Sequence, residues 1–324
     1  MIPSPQEASA GSSIDLHSAK IAVLIPCSNE EAAIGTVVAD FRAALPMADI
    51  YVYDNNSTDR TIEVARAAGA KVYREQLQGK GNVIRRMFSD VEADLYVLVD
   101  GDDTYDASVA PAMLKMLVTE RLDMVNGARV AQTRATHRRG HRFGNTALSG
   151  LVAKIFGARV RDMLSGYRVF SRRFVKSFPA SSAGFETETE LTIHALELRM
   201  PVSEVETEYR DRPAGSSSKL RTYSDGLRIL RTIVMLVKDE RPLLFFAIAG
   251  LVLLIVGVGI SVPVFVEYHR THLVPRFPTA ILSVGIVLSS FLSVACGLIL
   301  DSVARGRAEN KRMRYMGISL WPYE

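Results

Sequence analysis

The chain has 324 residues, 48% of them apolar and 23% charged, with a net charge of +4. It is too apolar for a disordered chain and too charged to lie wholly in a membrane, and its length allows one or two domains with sizeable cores. Two cysteines in unrelated contexts, Cys27 and Cys296, argue against a disulfide scaffold and a cysteine-rich zinc site, and no basic tract with interleaved aromatics points to nucleic acid.

Residues 1–20 are polar and lack the apolar segment of a secretory signal, which predicts a tail and a following domain that stays in the cytoplasm. Short apolar runs then alternate with segments of helical period. Strands are expected at 21–25, 50–53, 71–73 and 95–99, each followed by a helix, over 30–45, 58–68, 82–91 and 107–118. Another strand begins at Met124 and Val125. Such alternation predicts an α/β domain over 21–222, a Rossmann-like, mostly parallel sheet with helices on both faces. Its ligands bind beyond the carboxyl ends of the strands.

Three strand ends carry polar groups suited to chemistry. The first presents Pro26, Cys27, Ser28, Asn29, Glu30 and Glu31; the second Asp54, Asn55, Asn56, Ser57, Thr58 and Asp59; the fourth Asp100, Gly101, Asp102 and Asp103. No G-x-G-x-x-G follows the first strand and no G-x-x-x-x-G-K-S/T occurs, so neither a dinucleotide fingerprint nor a P-loop is present. Paired carboxylates at a strand end are hard oxygen ligands suited to Mg²⁺ or Mn²⁺ bridging to a diphosphate. Blander roles stand beside these. Asn29 and Glu30 are good helix caps, 54–59 is a good turn, Lys80 is a good solvated loop charge, and Asp162 has Arg161 and Arg168 within reach of an ion pair.

Residues 225–239 place Ile229, Leu230, Ile233, Val234, Leu236 and Val237 on one helical face and charges on the other, which predicts an interfacial helix over 223–241 or a surface helix packed on the domain. The uncharged runs 243–266 and 277–300 each exceed the roughly 20 residues needed to cross a bilayer. They predict a two-span hairpin over 242–301. Basic residues crowd both outer flanks, while the connector holds only Arg270 and Arg276. The positive-inside rule then puts both chain ends, the large domain and a basic tail over 302–324 on the cytoplasmic side of the cell membrane.

The motifs resemble a known family in their order. I-P-x-x-N-E-E, D-N-x-S-x-D, G-K-G-N at 79–82 and D-G-D resemble the family-2 glycosyltransferases of GT-A fold. D-M-L-S-G-Y-R at 162–168 and R-P-A-G-S-S-S-K at 212–219 continue the likeness. With the two-span tail, residues 20–315 look like the polyprenyl-phosphate subgroup, which includes dolichyl-phosphate mannose synthases and bactoprenol glucosyltransferases. The resemblance implies an inverting, Mg²⁺- or Mn²⁺-dependent transfer of a sugar from a UDP- or GDP-linked donor to a polyprenyl phosphate, with a tetramer as the assembly to expect.

Carried onto this chain, the likeness implies that Pro26, Asn29, Glu30, Asp54 and Asn55 line the nucleotide pocket and that Lys80 approaches its phosphates. Asp100, Gly101 and Asp102 meet the donor diphosphate, with Asp100 and Asp102 as metal ligands. Asp162 sits near the reacting sugar, with Glu188 as a second candidate. Arg168, Arg210, Arg212, Ser218 and Lys219 bind the acceptor phosphate, although Arg212 and Lys219 suit lipid headgroups equally. Relatives carry D-A-D-L-Q where this chain has Thr104, which leaves donor positioning open there. The rivals are a processive synthase, which would carry Q-x-x-R-W, a nucleotidyltransferase with a Gly-rich first loop, and a silent scaffold of the same fold. Neither the Q-x-x-R-W nor the Gly-rich loop occurs.

Overall fold

The computed structural model describes residues 19–131, 150, 161–180, 187–210, 234–235 and 237–320. Two compact units emerge, one of residues 1–226 with 311–324, the other of 227–310.

The first unit is built on a seven-stranded sheet. Its strands are β1 (Ile21–Cys27), β2 (Asp49–Asp54), β3 (Lys71–Arg74), β4 (Leu95–Leu98), β5 (Met124–Ala131), β6 (Arg168–Ser171) and β7 (Val202–Tyr209), in the order β3-β2-β1-β4-β6-β5-β7. The helices are α1 (Ile34–Ala44), α2 (Thr61–Ala67), α3 (Lys80–Asp90), α4 (Ala110–Thr119), α5 (Arg172–Ser177) and α6 (Thr187–Glu197).

The central strand β1 is buried along its whole length, as a strand covered on both faces must be. Its side chains alternate. Val23 and Ile25 join one core layer with α1 and α4, while Ala22 and Leu24 join another with α3, α5 and α6. The expected strands and helices up to Val125 all form, with α2 and α3 shorter or shifted by a few residues at their ends.

β6 is the one strand that runs against its neighbours, antiparallel to both β4 and β5. Its amino end therefore lies at the same sheet edge as the carboxyl ends of β1, β2, β4 and β5, with Leu98 and Asn126 flanking Arg168. This reversal delivers the 162–168 segment to the strand ends where a ligand would bind.

The second unit contains two long helices, α7 (Pro242–Thr271) and α8 (Phe277–Met316). Both are long and apolar enough to cross a bilayer, and only 11% and 17% of their most apolar windows are buried. Small residues recur at the seam, Gly250 and Gly257 on α7 and Ser283, Ser290 and Gly297 on α8. Such residues let helix backbones approach without lipid-like driving force. Ser293 Oγ donates to the Phe246 carbonyl across the pair at 2.9 Å. Of the expected interfacial helix 234, 235 and 237–241 are described, helical up to 240; the rest lies outside the described residues, as do residues 1–18 of the expected tail. The expected basic tail at 302–324 begins as helix. The helix continues to Met316, and residues from Lys311 belong to the globular unit.

A Cβ at Gly257 would lie 2.8 Å from Val287 Cγ2, whereas one at Gly259 would meet nothing within 4 Å. Gly257→Leu should cost about 1–3 kcal/mol by overpacking. Gly259→Leu should leave thermal stability in detergent unchanged, which thermal melts of the two variants will check.

Candidate active site

The loops after β1 and β2 are knitted together by side chains that the polar sequence supplies. Asn29, left-handed at φ 53°, accepts from Thr58 N at 2.8 Å through Oδ1 and donates its own N–H to Ser57 Oγ at 2.8 Å. Glu30 N donates to Thr61 Oγ1 at 2.9 Å, and Glu31 accepts from Arg60 N and Nε at 3.0 and 2.8 Å. Pro26 is buried within β1. Asn29 and Glu30 thus stand at the predicted strand end, but they join loops rather than cap α1, which has no side-chain cap.

Asp54 closes β2 and is fully buried. Its Oδ2 accepts from Ser57 N at 3.2 Å and lies 3.7 Å from Arg74 Nε, while Oδ1 has no hydrogen-bond partner among the described residues. A buried carboxylate oxygen without a donor is costly in protein alone, so it suits a ligand N–H or O–H. Asn55 behaves differently from its expected nucleotide contact. Its amide nitrogen donates to the Glu75 and Leu77 carbonyls, both at 2.9 Å, and its Oδ1 accepts from Gly79 N at 2.8 Å. With every polar atom spent on backbone, Asn55 shapes the 75–79 loop that leads into α3.

That loop sets Lys80 at the first position of α3, after Gly79 at φ 128°, a backbone angle that side-chain-bearing residues rarely adopt. Lys80 Nζ reaches Asp100 Oδ1 and Glu188 Oε1, both at 2.5 Å. Burial disfavours the charge on Lys80, but the two carboxylates outweigh it and push the ammonium above its ordinary range. Glu188, at the start of α6, is nearly buried, and its Oε2 has no hydrogen-bond partner among the described residues.

Asp100 follows β4 and rests against Gly166. A Cβ at 166 would run into the Asp100 carboxylate, so a larger residue there would displace it. Gly101 has a packing role, since a Cβ on it would meet Cys27, Ile25 and Ile34 at 3.2–3.3 Å. Asp102 is nearly buried and accepts from Thr104 Oγ1 at 2.6 Å. Thr104 therefore orients the carboxylate two residues before it. Asp103 sits at φ 57°, and burial followed by the charge of Asp40 pushes its carboxyl up. Arg210 N donates to the Thr104 carbonyl at 2.9 Å, which brings the end of β7 to the same loop. The Arg210 guanidinium, 47% exposed, lies 3.7 Å from Asp106.

Asp162 pairs with neither Arg161 nor Arg168. Arg129 on β5 takes it bidentately, Nε to Oδ2 at 2.7 Å and Nη2 to Oδ1 at 2.9 Å, and Arg129 N adds a bond to Oδ2 at 3.2 Å. Burial pushes the Asp162 carboxyl up, but Arg129 outweighs it and holds the group below the usual carboxylate range. The reading of the sequence missed Arg129. Its one signal is an arginine in the carboxyl half of a mostly apolar strand.

Arg168 is corrected as an acceptor ligand. It is fully buried, and its guanidinium donates to the carbonyls of Met163 and Ser165 at 2.7 and 3.0 Å and to Thr192 Oγ1 at 2.8 Å. It braces the 162–168 turn against α6. Arg212, Ser218 and Lys219 lie outside the described residues.

No group of three or more His, Cys, Asp or Glu suited to hold a metal occurs among the described residues. Asp100 and Asp102 still fit a hard divalent ion. Mg²⁺ characteristically takes one or two carboxylates and completes its shell with water and substrate phosphate.

The glycosyl transferase family 2 profile matches residues 22–178. Glycosyltransferase AglJ of Haloferax volcanii is 35% identical over 250 residues, which cover 76% of this chain and 82% of that protein. Dolichyl-phosphate hexose transferase of the same organism is 32% identical over 223 residues, covering 68% and 95%. Among solved structures, glucosyl-3-phosphoglycerate synthase from Mycobacterium tuberculosis, in complex with phosphoglyceric acid, superposes with a TM-score of 0.56 at 24% identity over 67% of this chain and 80% of that one. The same synthase has been solved with Mn²⁺, UDP and glucosyl-3-phosphoglycerate, with a TM-score of 0.53 at 24% identity over 68% and 80%. The sheet and its flanking helices are thus of GT-A type.

Because Asp162 has a depressed pKa, its contribution to stability is present above the unfolded value near 4 and is lost as pH falls through the folded value. Arg129→Met takes the bidentate guanidinium from a buried carboxylate and should cost up to about 3–5 kcal/mol at neutral pH. Thermal melts against pH should show the wild type weakening only below about pH 4, and the variant, weaker throughout, regaining part of the loss as Asp162 takes up a proton.

Proposed function

The chain belongs to glycosyltransferase family 2, and from that premise we propose that it moves a hexose from a nucleotide diphosphate sugar to a polyprenyl phosphate at the cytoplasmic face of a membrane, with inversion. The observation that carries the reading is the meeting of Lys80, Asp100 and Glu188 beside Asp102, a compact site of alternating charge at the carboxyl end of β4. The dolichyl-phosphate hexose transferase among the relatives supports the acceptor, and the two apolar helices support its location.

In this reading Asp54, with its unpartnered oxygen, takes a donor from the nucleoside, and Asn29 and Glu30 shape the pocket wall. Asp100 and Asp102 would hold Mg²⁺ or Mn²⁺, which when bound supplies positive charge to the leaving diphosphate. Lys80 adds a second, permanent cation at the same place. The acceptor phosphate oxygen is already ionised at neutral pH, so no strong general base is required. It attacks the anomeric carbon in line while the bond to the nucleoside diphosphate breaks, which inverts the configuration. Glu188 Oε2 is the catalytic carboxylate nearest this chemistry, placed to take a sugar hydroxyl or stabilise developing positive charge. Asp162 has a positioning role through Arg129. Arg210, with Arg212, Ser218 and Lys219, receives the acceptor phosphate; Arg is suited to it because its fork matches phosphate oxygens.

The two apolar helices would keep the chain at the membrane that holds such a lipid phosphate, which lowers the cost of bringing the two substrates together. A silent scaffold of the same fold would have no reason to keep a lysine buried between two carboxylates.

The test is transfer by the purified full-length protein in detergent, with undecaprenyl phosphate, Mg²⁺ or Mn²⁺, and a panel of UDP- and GDP-sugars. One donor should give a metal-dependent glycolipid. Asp102→Asn and Lys80→Met should each lower kcat/KM by about 10²- to 10³-fold. A folded protein that binds nucleotide but turns over no donor would remove the polyprenyl phosphate assignment. Loss of nucleotide binding as well would favour the scaffold.

A further inference from the structure

Residues 311–320, the last turns of α8 and the residues just after it, belong to the globular unit. Lys311 Nζ lies 2.6 Å from Glu197 Oε2, at the last position of α6, with the two side chains 26% and 11% exposed. Tyr315 donates its hydroxyl to Asp123 Oδ2 at 2.7 Å, and the Arg173 guanidinium lies 4.7 Å from the centre of its ring. Asp123 is fully buried and also accepts from Ser171 Oγ at 2.6 Å and from Arg173 Nε and Nη2 at 2.6 and 2.8 Å. Tyr315 packs on one core layer and Leu320 on the other. Burial pushes the Tyr315 phenol up, so it remains a donor at neutral pH.

These contacts differ from those of a solvated basic tail. A salt bridge between exposed groups contributes little, but Glu197 is nearly buried and Asp123 wholly so. Both anchor points also connect to the active site through rigid elements. α6 carries Glu197 at its carboxyl end and Glu188 at its second position, nine residues earlier, about 13 Å along the axis. Glu188 in turn meets Lys80. Asp123 lies just before β5, the strand of Arg129, and its Oδ1 accepts from Ser171, the last residue of β6.

We infer that residues 311–320 are a positioning strap for the active site. Lys311, through Glu197 and the length of α6, sets where Glu188 meets Lys80, and Tyr315, through Asp123, fixes β5 and β6 at the opposite edge of the sheet. The inference rests on the active-site reading above. The geometry makes Lys311 a positioning residue, since it touches neither the site nor its ligands.

The experiment uses the full-length protein in detergent, as wild type, Lys311→Met, Glu197→Gln and the reversed pair Lys311→Glu with Glu197→Lys. Turnover and amide hydrogen exchange are measured on each. Each single variant should lower kcat roughly tenfold, because small misplacements of catalytic groups are costly. KM for the donor should stay within about twofold, the mark of an interaction acting on the reacting geometry rather than on binding. Exchange should rise along the whole of 187–197, and the reversed pair should recover both kcat and protection. Glu197→Gln removes only the charge and keeps the shape, so the answer does not hang on how well Lys311→Met folds. A lower melting temperature with unchanged kcat, or exchange that rises only in the last turn at 197, would overturn the strap. If the wild type turns over no donor, the transfer reading fails, and exchange at 187–190 still decides the strap.

Discussion

One ammonium group organises the candidate active site. Lys80 brings Asp100 from the end of β4 and Glu188 from the start of α6 to within hydrogen-bond distance of the same nitrogen. Two carboxylates that close would repel strongly in a partly buried place without it. Much of the surrounding architecture serves to put that nitrogen there. Asn55 binds the loop before α3, Gly79 supplies the turn into the helix, and Gly166 leaves room for Asp100 on its far side. The site is thus built from five separate stretches of chain, none of which contains more than part of it.

This division explains what could be read from the sequence. β1, β2 and β4 are legible because each is an apolar run bounded by polar residues, and β1, buried on both faces, is the clearest; β3, Lys71–Arg74, is a short mixed run legible from its place in the alternation. The polar strand ends are legible for the same reason. β6 is not, since its antiparallel direction is a property of the assembled sheet. The same gap hid Arg129. It finds Asp162 across 33 residues, and nothing local to either distinguishes that pairing from one with Arg161 or Arg168. Arg168 shows the reverse error. A motif arginine suggested an anion site, but backbone carbonyls and Thr192 absorb its donors.

Charge is treated in two ways in the globular unit. The Arg129–Asp162 pair is fully matched, fork to carboxylate, and so has little left to offer a ligand. Around Asp54 and Glu188 the matching is incomplete, with one buried carboxylate oxygen on each lacking a donor among the described residues. Matched pairs rigidify, whereas incomplete ones leave affinity to be satisfied by whatever enters. The structure keeps the two kinds apart. The rigid pair fixes the 162–168 turn, and the incomplete groups lie at the strand ends and beside Lys80.

The return of residues 311–320 to the globular unit has a consequence for biosynthesis. A chain leaving the ribosome presents the whole sheet, with Asp123 and Glu197, before either apolar helix has been made. Lys311 and Tyr315 lie in the last turns of α8, and Leu320 comes after it. The globular unit is therefore completed only after α7 and most of α8 have been translated, so its maturation follows synthesis of the segments suited to enter the bilayer. A nascent chain stalled before that point would carry Glu188 and Lys80 but lack the strap, and the order of translation alone would delay the finished catalytic geometry until the membrane-spanning segments exist.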